Sequence, residues 1–158
     1  MKPIQIVLRT SAAFALLTGA VAAAHAQDTF CPLLKRAIEA KPKGFANLKI
    51  KPFHGSTKEW DARVKLPGTQ FCRVDQNRKI FNCWVTALSA GAIAEQAGSL
   101  KSNLITCLGQ PAGPEKTDDM TASRRTSLAW ESDGARIELV TRIGKAKPEK
   151  HSVFVYVR

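Results

Sequence analysis

Four cysteines, Cys31, Cys72, Cys83 and Cys107, set the framework within which this chain must fold. How they are read depends on what precedes them. Lys2 and Arg9 form a short positive end, Ser11 to Ala24 is an apolar run rich in Ala and Leu, and Ala24-His25-Ala26 has the small-x-small pattern that a signal peptidase cuts. Residues 1–26 therefore read as a cleaved signal peptide, and 27–158 as a single exported domain, periplasmic or secreted. Gln27 follows the expected cut, where a lipoprotein would have Cys, and there is no twin-Arg pair. The apolar run is too short and Ala-rich for a stable membrane span, and no second one follows. In an oxidising compartment, an even number of cysteines reads as a disulfide framework. No separation among them is C-x-x-C, so neither a zinc ribbon nor a thioredoxin-type pair is indicated.

The pairing follows from strand register. Trp60, Ala62, Val64 and Leu66 alternate with Asp61, Arg63 and Lys65, the period of a half-buried strand, and Pro67-Gly68 turns the chain. Cys72 and Val74 then alternate with Phe71 and Arg73, Asp75 to Lys79 is polar, and Ile80 to Thr86 completes a hairpin. A turn centred on Asn77-Arg78 puts Val74 opposite Phe81 and Cys72 opposite Cys83, so a cross-strand bridge is natural there. By subtraction, Cys31 meets Cys107. A slip of one residue in the loop would spoil this register.

Two helices flank the hairpin. Phe30, Leu33, Leu34, Ala37 and Ile38 recur at helical spacing, which predicts a short helix over 30–40 with Pro32 in its first turn and Lys41-Pro42-Lys43-Gly44 as its stop. From Ser89 to Leu108, Ile93, Ala97, Leu100, Leu104 and Cys107 form one stripe, closed by Gly109 and Pro111. Residues 45–59 read as irregular, anchored by Phe45, Leu48, Ile50 and Phe53, and 109–123 as a loop. Strands follow at 126–131, 136–143 and 152–157. Ser132-Asp133-Gly134 turns the first into the second, and Val153, Val155 and Val157 oppose Phe154 and Tyr156 in the last. The expected architecture is α+β: two helices packed on one face of a mainly antiparallel sheet, in the order α-βββ-α-βββ, with two disulfides. This order loosely resembles small two-layer α+β modules such as secretion chaperones, an analogy of architecture that covers no motif and implies no function.

Charge directs the functional reading. Without Lys2 and Arg9, 22 of the 24 basic side chains face all 13 acidic ones, a balance of about +9. That favours anionic partners: an envelope polymer, an acidic protein or nucleic acid. It is the wrong sign for inhibitors of cationic lysozymes, which are comparable in size and disulfide content. The densest basic–aromatic segment is 41–65, and it supplies the candidate ligand-binding residues Lys49, Lys51, Phe53, His54, Lys58, Trp60 and Arg63. There phosphate contacts from cations and stacking from rings would combine. The plainer reading is a long connection whose apolar residues plug the core while its lysines stay solvated. Trp60, Trp84 and Trp130 fall within strands, two or more of them expected in the core.

The leading expectation is a non-enzymatic binding domain for an anionic envelope component or acidic protein. One alternative is a small basic secreted ribonuclease, which would have to use His54, Glu59, Arg63 and His151 in acid–base and phosphate-holding roles. Another is a structural or stress-related envelope protein without a dedicated ligand. No catalytic residue, metal site or cofactor is expected: the histidines after residue 26 are isolated, no carboxylates stand at ligand spacing, and there is no G-x-S-x-G.

Overall fold

The computed structural model describes residues 20–145 and 150–158, with side chains from Thr29 onward. The expected leader lies outside the described residues, apart from the backbone of its last residues from Ala20. Lys147, in the basic loop after the seventh strand, also lies outside them.

Helix α1 spans Ala20–Ala40 and α2 spans Ala90–Leu108. The strands are β1 (Lys49–Pro52), β2 (Glu59–Ala62), β3 (Phe71–Asp75) and β4 (Ile80–Ala87) before α2, and β5 (Lys116–Asp119), β6 (Ser123–Ser132), β7 (Ala135–Gly144) and β8 (His151–Val157) after it. Every neighbouring pair is antiparallel, in one sheet ordered β1-β2-β3-β4-β8-β7-β6-β5. The expected α+β class, with two helices and two disulfides, is present. Each half of the chain is one helix followed by a four-stranded meander, and the halves join at β4 and β8.

The strand order expected from sequence therefore changes from three strands per half to four. The added strands, β1 and β5, are four-residue edge strands in segments read as irregular or loop. β1 is Lys-Ile-Lys-Pro and β5 is Lys-Thr-Asp-Asp, so neither shows an apolar alternation. Lysines and a proline suit an edge, because they block pairing with another chain. Ile50 is 57% exposed and is not the core anchor expected of it. β2 stops at Ala62 while Val64 and Leu66 remain buried, so their alternation outlasts the strand ladder. α1 starts well before residue 30, because Ala20 to Ala26 is rich in the strongest helix former; Pro32 thus lies inside the helix.

Elsewhere local chemistry and tertiary structure agree. The Ser89 hydroxyl caps α2 by accepting from Ala92 N–H at 3.2 Å, and the Gly109 N–H closes it on Ile105 C=O at 2.8 Å. Asp133 and Gly134 both have positive φ, as a two-residue hairpin loop between β6 and β7 requires. Cys72 pairs with Cys83 across β3 and β4, Cα atoms 4.0 Å apart, and Cys31 bonds Cys107, tying α1 to α2.

The core lies between the helices and one sheet face. Phe30, Leu34 and Ile38 of α1, and Ile93, Leu100 and Leu104 of α2, pack with Val74, Phe81, Leu128, Trp130, Ile137 and Val155. Trp130 is fully buried, and its Nε1–H donates to Gly109 C=O at 2.9 Å, pinning the end of α2 to β6.

At the β5 end, Lys145 Nζ donates to Asp119 Oδ1, and Arg124 Nη2 lies 3.7 Å from the other carboxylate oxygen. The hydrogen bond from Lys145 holds the Asp119 carboxyl below its usual range, with both cations adding to the effect. A depressed carboxyl stabilises the fold above its unfolded-state pKa, and that contribution is lost as pH falls through the lower folded-state value. Asp119→Asn is thus expected to be less stable than wild type at neutral pH. The difference should close as pH drops through the carboxylate range, as checked by urea unfolding at a series of pH values. A gap unchanged down to the acid limit would refute this role for Asp119.

Candidate binding face

Strand alternation sends one set of side chains into the core and the other to the face that no helix covers among the described residues. On β8, His151, Val153, Val155 and Val157 are buried on the helix side. Phe154, Tyr156 and the following Arg158 have the opposite parity. The ladders align Phe71 with Trp84 and Trp84 with Phe154, while Arg73 aligns with Asn82 and Asn82 with Tyr156. The helix-free face therefore collects Phe71, Trp84, Phe154 and Tyr156 in adjacent cross-strand positions. Phe53 joins them from a 3₁₀ turn at Phe53–Gly55, its ring 5.9 Å from Trp84.

Guanidinium groups interleave with these rings. Arg142 lies 5.3 Å over Phe154, the Phe154 and Tyr156 rings stack 5.5 Å apart, and Arg158 lies 5.0 Å over Tyr156. A second run places Arg73 5.7 Å from Phe53 and 5.1 Å from Trp84, with Trp84 stacked 5.4 Å from Phe71. Each cation–ring contact at such a site is worth about 0.5–1 kcal/mol, so together they order the layer. The layer also shields polar groups: Asn82 is only 3% exposed and accepts from Arg73 Nε at 3.3 Å.

Carboxylates fix several of the cations. Arg73 Nη1 donates to Glu59 Oε2 at 2.8 Å. Buried Glu138 accepts from Arg136 Nε at 2.8 Å, and its other oxygen lies 3.1 Å from Arg158 Nη2. Hydrogen bonds to Glu138 first, and then to Glu131, push the Arg136 guanidinium still further up. Stacking orders these groups and leaves guanidinium N–H edges in the plane, suited to planar or phosphate oxyanions.

The residues singled out from sequence divide between the two sides. Phe53 reaches the helix-free layer, exposed His54 stands edge-on to it at 4.2 Å, and Lys51 Nζ lies 3.8 Å from the Asp61 carboxylate on that side. Trp60 instead pairs with Val74 on the core side, its Nε1 buried without an acceptor among the described residues, and Lys49 Nζ lies 5.6 Å from its ring. Lys49 also donates to Gln76 Oε1 at 2.7 Å. Lys58 and Arg63 are exposed on either flank of β2. His151 is buried on the helix side, whereas His54 sits beside Phe53, and Glu59 is engaged by Arg73. The four groups required of a nuclease are thus not brought to one point.

Sequence reasoning overlooked Phe71, Arg73, Trp84, Arg142, Phe154, Tyr156 and Arg158 as a group. The signal present was the opposition of Phe154 and Tyr156 to the valines of β8. On the helix side, a cavity of about 250 Å³ between α2 and β6–β7 is lined by small residues such as Ala94, Ala97 and Gly98, and its Lys101 lies 4.0 Å from Glu115. Among the described residues no three His, Cys, Asp or Glu side chains could hold a metal ion, and no helix is long and apolar enough to cross a membrane. Comparison with protein-family models, curated proteins and solved structures finds no match.

Proposed function

We propose that this chain is a non-enzymatic periplasmic or secreted binding domain that recognises an anionic component of the cell envelope through the helix-free face of its sheet. The observation that carries the reading is the interleaved array of rings and guanidiniums on that face. Ordered side chains lose little entropy on binding, and Arg142, stacked on Phe154 with no carboxylate partner among the described residues, keeps its donors for an oxyanion. Phe71, 48% exposed, supplies apolar contact area at one end of the array. The balance of about +9 after the expected leader steers anions toward the domain, with Lys51 and Lys58 at the neighbouring edge. Two disulfides suit an oxidising compartment.

The test is binding of the oxidised protein to lipopolysaccharide, phosphatidylglycerol vesicles and single-stranded DNA across a salt series. Binding to an envelope probe at low salt is expected to fall steeply as salt rises. A Phe71→Ala/Trp84→Ala variant that keeps its circular dichroism should bind about tenfold or more weakly. A variant binding every probe as wild type does would defeat the assignment to this face. Preference for DNA over both envelope probes would move the ligand to nucleic acid. A failure to bind any probe would leave the structural role.

A further inference from the structure

We infer that the helix-free face contains a phosphate site built on Arg125 and Arg142, so that the anionic component taken there carries a phosphate monoester; this rests on the binding role proposed for that face. Arg125 on β6 is the direct cross-strand partner of Arg142 on β7. Leu128 and Leu139, paired in the same ladder, fill the core, and strand alternation therefore puts both arginines on the opposite side. Like charges placed directly opposite one another oppose folding, unless an anion lies between them.

Each arginine is ordered by a partner on the strand outside the pair. The Arg142 guanidinium stacks on Phe154 and has no carboxylate partner among the described residues. Arg125 Nη1 lies 3.6 Å from Asp118 Oδ2, which orients it while neutralising part of its charge. Its Nε is buried and finds no hydrogen-bond acceptor among the described residues. A charged donor left dry in this way is costly, and an oxyanion that displaces the groups covering it would satisfy it. Ser152 is the ladder partner of Arg142 on β8, and Ser127 lies two residues beyond Arg125 on the same side of β6, so hydroxyl donors border the pair. One guanidinium fork can saturate a carboxylate, whereas the three terminal oxygens of a phosphate monoester can bridge two forks and a hydroxyl.

The experiment is a titration of the oxidised protein with inorganic phosphate, followed by NMR of the arginine Nε–H signals. Arg125→Gln and Arg142→Gln serve as variants and Lys101→Gln as a control. The Nε–H signals of Arg125 and Arg142 are expected to move together with phosphate. Each Gln variant should lose about tenfold or more in phosphate affinity, and the control none. Each Gln variant is also checked by circular dichroism, so that lost phosphate affinity in a folded variant reads the site and not the fold. Vesicles then separate the sources. Retention by phosphatidic acid over phosphatidylglycerol, lost in Arg142→Gln, means a lipid headgroup. Phosphate binding with no vesicle preference means a soluble phosphate ester. Signals that do not respond to phosphate, or Gln variants that bind as wild type does, overturn the site. If the Gln variants keep envelope-probe binding that Phe71→Ala/Trp84→Ala loses, the phosphate site alone has failed. If neither set loses it, the face has failed.

Discussion

Replacing Cys31 and Cys107 together by alanine is expected to destabilise the domain by about 4.5 kcal/mol, the chain-entropy cost of releasing a loop of this size. The bridge closes 76 residues of sequence, against 11 for Cys72–Cys83, for which the same relation gives about 3 kcal/mol. Equilibrium urea unfolding of the two double-alanine variants measures the difference directly. The ordering matters for mechanism as well as stability. Cys72–Cys83 reinforces a hairpin that its own ladder already holds, whereas Cys31–Cys107 joins two helices with no backbone ladder between them. Freed of it, α1 should show faster amide exchange than β4 and β8. Equal losses for the two variants would mean that the unfolded chain keeps the helices together without the bond, and the entropy account would be wrong for this protein.

Trp130→Ala is the second large effect, about 3–5 kcal/mol for a fully buried indole whose space the core cannot refill. Part of that is polar, because the Gly109 carbonyl at the end of α2 loses the Nε1–H donor it now accepts from. Trp130→Phe removes the donor while keeping most of the apolar contact. It should cost about 1–3 kcal/mol and selectively raise amide exchange in the last turn of α2. A Phe variant as stable as wild type would show that neither the hydrogen bond nor the larger ring contributes.

Much of the scaffold was legible in local patterns. The register of β3 with β4 follows from the position of one polar turn, and with it the Cys72–Cys83 pair, which leaves Cys31 and Cys107 for each other. α2 announces itself through Ser89, its apolar stripe and Gly109, since caps and a 3.6-residue period are properties of a single segment. β1 and β5 were missed because a four-residue edge strand paired on one side needs no apolar alternation. The extension of α1 back to Ala20 was missed because the same Ala-rich residues read equally well as a leader.

The candidate site divides in the same way. The cations and rings of 41–65 stand out by local density, yet the sheet turns Trp60 into the core and Phe53 away from it, so proximity in sequence did not become one surface. Phe71 meets Trp84 within the β3–β4 hairpin, but Phe154 joins them only because β4 pairs with β8, the joint between the two meanders. Arg125, which stands out in sequence only as part of a small Arg124-Arg125 basic cluster, meets Arg142 once β6 and β7 align them. The sequence by itself determined α2, six of the eight strands and the disulfide partners, because these depend on side-chain period and short-range geometry. Only the tertiary structure decided which outward residues share a face, because strand order is set by packing both meanders under two helices, and no local pattern encodes that choice.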